Sequence, residues 1–197
     1  MSVDALVDPA VSKAKFDREL AQFYDLEDDY RQRGWWILRA TFPEILVAFV
    51  QPKLSPPAVI FGATLDFTNY DLWPPSVRIV NPFTKVPYMH AQLPTKLTRR
   101  VPLAANPGQP VRPYSFQELM VTHGPDKIPF ICLPGIREYH EHPAHTGDSW
   151  LLHRGRGAGT LNFILTNLHK YGVEPINGYG MSFNIAVTGF NVGNVPE

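Results

Sequence analysis

The stretch that decides the fold is Trp35-Trp36-Ile37-Leu38-Arg39-Ala40-Thr41-Phe42, with Ile45-Leu46-Val47-Ala48-Phe49-Val50 directly after it. Both segments are rich in β-branched and aromatic residues, and Pro43-Glu44 between them suits a turn. Residues 58–67 and 76–80 have the same character and follow proline-containing turns. Four consecutive strands on short connections predict an antiparallel meander.

The chain before the meander predicts an amphipathic helix over residues 10–31. Phe16, Leu20, Phe23 and Tyr30 follow helical spacing and can face a core. One apolar face of the sheet needs a cover, and this helix supplies it. The predicted fold class is therefore α+β, with an N-terminal helix on a four-stranded antiparallel meander.

Further elements are predicted toward the C-terminus. A short helix is expected around residues 115–120. A longer helix is expected over residues 160–171, where Thr160 is a suitable N-cap and Gly172 ends the helix. Residues 183–187 predict a strand.

Residues 81–115 predict a long loop without regular strand pairing. The segment is basic, and its many prolines lack the N–H group that a β-ladder requires. These prolines are Pro82, Pro87, Pro94, Pro102, Pro107, Pro110 and Pro113.

Composition limits the class of protein. The chain has 197 residues, of which 44% are hydrophobic, so we expect a single domain over residues 1–197. Its 18 basic residues balance 18 acidic ones, which predicts no nucleic acid or membrane partner. No apolar stretch reaches the roughly 20 residues of a membrane span. One cysteine cannot form an internal disulfide, and the N-terminus lacks the features of a secretory signal, so we expect a cytoplasmic location.

The segment richest in reactive groups begins at Cys132, the single cysteine. Leu133-Pro134-Gly135 after it suits a chain that leaves a strand for a loop, which brings the sulfur to the surface. Histidines and glutamates then crowd into residues 136–145. We interpret Cys132 as a catalytic thiol, and the alternatives are a metal ligand and a buried core residue.

Two imidazoles, His142 and His145, are the first candidates to assist this thiol. A protonated imidazole lowers the pKa of a neighbouring thiol, and a neutral one accepts a proton from an incoming nucleophile. We expect Glu138 to orient the imidazole. The remaining candidates for these roles are His123, Asp126, His140 and Asp148.

A zinc site is the alternative use of the same residues. Cys132, Glu138, His142 and His145 would be its ligands, and His140 is a further nitrogen donor. No second pair of cysteine or histidine ligands follows in the chain, so we expect no bound metal.

The glycine-rich residues 154–160 also allow two interpretations. They suggest either a phosphate loop or a flexible connection, and we favour the connection.

The order of these elements resembles that of ubiquitin-conjugating enzymes. The residues that carry the resemblance are Tyr70-Asp71-Leu72-Trp73-Pro74-Pro75-Ser76-Val77 at the end of the meander, then Ile131-Cys132-Leu133, and then Trp150 before the helix at Thr160. The resemblance covers roughly residues 12–171. Relative to that family, residues 81–115 and 136–149 are insertions.

The resemblance implies an activity and partners. An activating enzyme would transfer a ubiquitin-like protein to Cys132 as a thioester, and an amine or hydroxyl of a target protein would then attack it. The family's His-Pro-Asn tripeptide is replaced by Thr122-His123-Gly124-Pro125-Asp126, so the asparagine that steadies the oxyanion in the family is absent.

The histidine-rich insertion has a second resemblance. It is similar to a bacterial group described as a predicted metal-binding domain with Cys, Glu, His and His, found with ubiquitin-like and activating-enzyme genes. Cys132, Glu138 or Glu141, His142 and His145 would occupy those positions. The two resemblances are compatible, because a divergent conjugating enzyme can hold a histidine cluster in place of the asparagine.

Overall fold

The computed structural model describes residues 6–104, 113–124 and 127–180. The chain begins with helix α1 (Pro9–Tyr24), whose N-cap Asp8 accepts a hydrogen bond from the Ala10 N–H at 2.8 Å. Phe16 and Phe23 on its inner face are almost fully buried. The predicted N-terminal helix therefore exists and has the predicted apolar face.

The predicted helix over residues 10–31 is nevertheless divided in two. A second helix, α2 (Glu27–Gln32), follows a break at Asp25 and Leu26. Its first turn holds Glu27, Asp28 and Asp29. Acidic residues are favourable at a helix N-terminus and unfavourable at a C-terminus, so the break places this acidic run at the end of a helix that stabilises it.

The predicted four-stranded antiparallel meander is present. Its strands are β1 (Trp35–Thr41), β2 (Glu44–Gln51), β3 (Ala58–Asp66) and β4 (Ser76–Val80), in the order β1-β2-β3-β4. Strand β2 pairs with both neighbours and is buried along most of its length, because it lies in the interior of the sheet.

Aromatic rings join the helices to this sheet. The Phe16 ring meets the Phe67 ring edge-on with centroids 5.5 Å apart, and Tyr30 stacks on Trp35 at 4.7 Å. Such contacts add to the free energy of burying each ring. One hydrophobic core runs from α1 through the sheet to Val173.

The prediction of an unpaired loop over residues 81–115 is wrong. Strand β5 (Thr98–Pro102) pairs antiparallel with β6 (Tyr114–Glu118) in a two-stranded ribbon. Proline is tolerated at the end of a strand, and Pro102 pairs with Tyr114 at the last position of the ribbon. The helix predicted around residues 115–120 is also wrong, because most of that segment is β6.

A second short ribbon leads to the cysteine. Strand β7 (Met120–Val121) pairs with β8 (Phe130–Ile131), and helix α3 (Arg137–Glu141) follows. Helix α4 (Leu161–Gly172) confirms the last predicted helix. The Thr160 hydroxyl caps it by accepting the Phe163 N–H at 3.2 Å.

The predicted strand over residues 183–187 lies outside the described residues. Within the described ranges, no helix combines the length and the apolar character needed to cross a membrane.

Candidate thiol site

Cys132 follows directly after β8, in a chain held by backbone hydrogen bonds. Its N–H donates to the Leu119 carbonyl at 2.7 Å. The flanking residues Ile131 and Leu133 are buried, whereas the Cys132 side chain is half-buried. The sulfur therefore lies at the edge of the core with access to solvent.

Two glycines fix the loop after Cys132 against the start of α4. Gly135 has a φ of +91°, and a Cβ atom at this position would lie 2.4 Å from the Gly159 nitrogen. Gly159 has a φ of +75°, and a Cβ atom at this position would lie 2.7 Å from the Trp150 ring. Only glycine permits these conformations and this close approach together.

His145 is the imidazole beside the thiol. Its Nε2 lies 3.3 Å from the Cys132 Sγ, which is hydrogen-bond distance for sulfur. Its ring stacks on Tyr139 with centroids 3.9 Å apart. Pro143 and His145 bound a short 3-10 turn, and this turn brings the imidazole back over the cysteine.

A hydrogen-bonded network supports Tyr139 from behind. The Tyr139 hydroxyl donates to Asp148 Oδ2 at 2.7 Å, and His153 Nε2 lies 2.6 Å from Asp148 Oδ1. The sequence made Asp148 a candidate for direct participation in the thiol chemistry. In the structure it is linked to the thiol through Tyr139 and His145. The chain of contacts runs Cys132, His145, Tyr139, Asp148, His153.

His140 is held by backbone groups on both ring nitrogens. Its Nε2 accepts the Gly135 N–H at 3.2 Å, so its Nδ1 is the donor to the Asp148 carbonyl at 2.9 Å. This pattern requires the neutral imidazole. Burial lowers the pKa of His140, which favours the same form. His140 therefore braces the loop that carries Cys132.

His142 and His123 form a separate aromatic stack. Their rings are 5.0 Å apart and nearly parallel, and both contact Phe130. The His142 Nδ1 accepts the Ala144 N–H at 3.2 Å. His142 lies next to His145, with ring centroids 5.5 Å apart, whereas the hydrogen bond to the thiol belongs to His145.

Glu138 faces strand β4 and does not orient an imidazole. Its carboxylate accepts hydrogen bonds from the Ser76 hydroxyl and from the Val77 N–H. Glu141 lines the same cavity as Glu138, and burial raises its pKa. Asp126, the remaining candidate, lies outside the described residues.

Burial and one nearby cation act in opposite directions on the pKa of the thiol. Burial raises the pKa of Cys132, and the Arg99 guanidinium partly offsets this rise. The expectation that a protonated imidazole lowers this pKa stays a prediction. Burial and the hydrogen bond to Asp148 also raise the pKa of Tyr139, to about 12, so its hydroxyl keeps its proton near neutral pH. The Tyr139 and His153 hydrogen bonds lower the pKa of Asp148, which stays ionised.

Long-range interactions of Arg99, Arg137 and Trp150 at the site were not predicted from the sequence. The charge of Arg99, on β5, acts on the thiol and lowers its pKa. Buried Arg137 donates to the carbonyls of Pro74 and Thr68, at 3.2 and 2.6 Å, and ties α3 to the loop before β4. The Trp150 Nε1 donates to the Asp71 carbonyl of that loop at 3.0 Å. The pairing of Trp150 with Asp71 had a sequence signal, because both residues lie in segments that resemble the ubiquitin-conjugating enzymes.

The glycine-rich residues 154–160 do not form a phosphate loop. The Leu161 N–H, at the start of α4, donates to the carboxylate of buried Glu19 at 3.0 Å. A protein carboxylate thus occupies the place where a phosphate would bind. Arg154 pairs with Asp71 at 3.0 Å. The interpretation as a connection capped by Thr160 agrees with this geometry.

Metal ligands do not converge within the described ranges. No group of three or more His, Cys, Asp or Glu side chains there could hold a metal ion. The set suggested by the sequence is split, since Glu138 faces β4 while His145 faces Cys132.

Comparison with known proteins gives a family match over most of the chain. A family model described as Y4jH-like, Y4jH family, matches residues 7–176. A protein of Sinorhizobium fredii described as "Uncharacterized protein y4jH" is 40% identical over 192 residues, which cover 94% of each chain. The matched region includes every described residue of the thiol site.

Proposed function

The chain belongs to the Y4jH-like family, and we propose that it is a thiol-dependent carrier of a ubiquitin-like protein, with Cys132 as the acceptor. The observation that carries the proposal is the 3.3 Å contact between Cys132 Sγ and His145 Nε2 at a half-buried position. A nucleophile within hydrogen-bond reach of a base is the signature of covalent catalysis by cysteine.

His145 supplies what the thiol lacks. Because burial raises the pKa of Cys132, most of the thiol is protonated near neutral pH. The neutral His145 imidazole takes the thiol proton as sulfur attacks a thioester carbonyl. A carbon–sulfur bond to Cys132 forms, the bond to the donor's sulfur breaks, and the proton passes from His145 to the departing thiolate.

The same imidazole serves the second step. An amine or hydroxyl of the target attacks the thioester on Cys132, and His145 accepts its proton. The new amide or ester bond forms as the carbon–sulfur bond breaks, and the proton returns to the Cys132 thiolate. Stacking on Tyr139, which Asp148 holds, keeps the ring in place for both steps.

The choice of a ubiquitin-like protein as cargo follows from the resemblance to ubiquitin-conjugating enzymes. Two of the segments that carry this resemblance, those with Asp71 and Trp150, contact each other in the structure. Trp150 contacts the loop at Asp71 that belongs to the meander motif, and Arg137 in α3 contacts the same loop. These contacts hold the chain that follows Cys132 against the end of the meander, which supports a carrier of that type.

Loading by an activating enzyme tests the proposal. The purified chain is incubated with ATP and with an activating enzyme and ubiquitin-like protein of the same organism. We expect an adduct that thiols remove, and Cys132→Ser should give a thiol-resistant ester or no adduct. A Cys132→Ala protein that forms the adduct normally would overturn the proposal.

A further inference from the structure

A second cavity, with residues distinct from those of the thiol site, lies between the end of α2, the turn after β2 and the last turns of α4. Its volume is about 480 Å³. This is within the range of roughly 300–1,000 Å³ that is usual for small-molecule sites. Its walls include Arg33, Trp35, Lys53, His169 and Lys170.

Unpaired cations surround this cavity. Arg33, Lys53 and Lys170 make no ion pair with any carboxylate of the described residues. Glu174 is the acidic residue among the described lining, and it lies 3.5 Å from His169 Nδ1. Because the whole chain is neutral, this excess of positive charge is a local feature of the surface.

The charges of Arg33 and Lys53 both act on the pKa of His169. Burial lowers its pKa, and the charges of Arg33 and Lys53 lower it further, against the opposing effects of Glu174 and of a hydrogen bond with the Arg33 backbone. Side chains from two different turns therefore act on one imidazole. They create a positive potential around the cavity that a bound anion would neutralise.

Trp35, which lines the cavity, carries a buried hydrogen-bond donor. The side chain is buried, and its Nε1 has no acceptor among the described residues. An indole N–H can only donate, and a buried donor without an acceptor is unfavourable. Its position on the cavity wall makes the Trp35 indole a reporter of what binds there.

The positive surface continues into a neighbouring groove. This groove has a volume of about 660 Å³ and shares Lys170 and Glu174 with the cavity. It adds Arg99 and Arg100 from β5. Neither arginine pairs with a carboxylate of the described chain, since Arg99 donates to Gln117 and Arg100 lies over the Tyr114 ring.

We propose that the cavity binds a small phosphorylated ligand with two or more negative charges, held by Arg33, Lys53 and Lys170. Guanidinium and ammonium groups together are the usual protein partners of phosphate oxygens. A single carboxylate carries too little charge to neutralise three cations, whereas a diphosphate matches them. The site is independent of the thiol chemistry.

Titration with inorganic pyrophosphate tests the site at low salt, where charge interactions are least screened. We expect saturable binding by calorimetry at about pH 7.5, where His169 is neutral. Lys53→Glu should weaken it by about tenfold or more. Lys127→Glu makes the same charge change at an exposed position outside the cavity and should bind as the unmodified chain does. Glu174→Gln should bind more tightly, which a folding defect cannot mimic.

Nuclear magnetic resonance locates the bound anion. The Trp35 indole signal, assigned through Trp35→Phe, should shift on titration more than the other indole signals. No binding at about 10 mM pyrophosphate would overturn the proposal, and so would equal affinities of Lys53→Glu and Lys127→Glu. Binding to anionic phospholipid vesicles without binding to pyrophosphate would also overturn it, because it would assign the cations to a membrane surface.

Discussion

The Cys132 Sγ lies 3.3 Å from the Nε2 of His145, whereas His142, three residues closer in the chain, stacks on His123 and contacts Phe130. The geometry thus assigns different roles to two histidines that the sequence could not separate. Among the residues that the structure describes, His145 is the one placed to exchange a proton with the thiol.

Substitution of His145 is predicted to slow discharge of a thioester from Cys132. His145→Ala should reduce the single-turnover rate by about 10²-fold or more, because a general base contributes at least that much. His142→Ala should have a much smaller effect, since its Nδ1 accepts the Ala144 N–H. Equal rates of discharge for His145→Ala and the unmodified chain would exclude His145 as the general base. Thiol alkylation of the variant checks that Cys132 remains accessible.

The Arg99 guanidinium is predicted to raise the thiolate fraction of Cys132. Burial raises the thiol pKa and Arg99 lowers it, so Arg99→Gln should move the pH profile of iodoacetamide alkylation to higher pH. Arg100→Gln is the matched control, because the Arg100 guanidinium lies over the Tyr114 ring and is not among the charges that shift the pKa of Cys132. Identical profiles for the two variants would contradict this role.

The purified chain is predicted to hold no stoichiometric zinc. Glu138 contacts β4 while His145 contacts Cys132, so the four ligands of the hypothetical zinc site do not converge. Elemental analysis decides the question. About one equivalent of zinc, lost together with stability in His142→Ala or His145→Ala, would favour the zinc site instead.

Gly135 is predicted to be essential for the shape of the site. Gly135→Ala places a Cβ 2.4 Å from the Gly159 nitrogen at a positive φ, which should lower the free energy of unfolding by about 1–3 kcal/mol. Gly147→Ala is the control, since nothing lies within 4 Å of its added Cβ, and it should change stability by less than about 0.5 kcal/mol. Urea denaturation measures both, and equal stabilities would contradict the packing described.

The meander was predictable because its strands are continuous and joined by short turns with proline. The β5–β6 ribbon was not, because prolines suggested a loop while Pro102 actually sits at a strand end, where no ladder hydrogen bond is lost. Tyr114 and Phe116 carry strand-type alternation that could have indicated β6, but a five-residue segment is too short to decide between helix and strand.

The site was predictable where its residues are neighbours in sequence and not where they are distant. Cys132 and His145 are 13 residues apart in the chain, so their proximity could be expected from the sequence. Arg99 and Glu19 reach their partners across the fold, and only the packing of β5 and α1 places them there. Glu138 was misassigned because α3 turns its side chain toward Ser76.

The most direct test of the central claim is acyl transfer to Cys132 from a peptide thioester that ends in glycine, followed by intact-protein mass spectrometry. We predict one thiol-labile acyl group on the folded chain and none on Cys132→Ala. Because burial raises the thiol pKa, an unassisted thiol would react more slowly in the folded chain than in the same chain unfolded in urea. We predict faster acylation of the folded chain, and we predict that His145→Ala loses this advantage. Slower acylation than in the unfolded chain, or acylation that His145→Ala leaves unchanged, would contradict it.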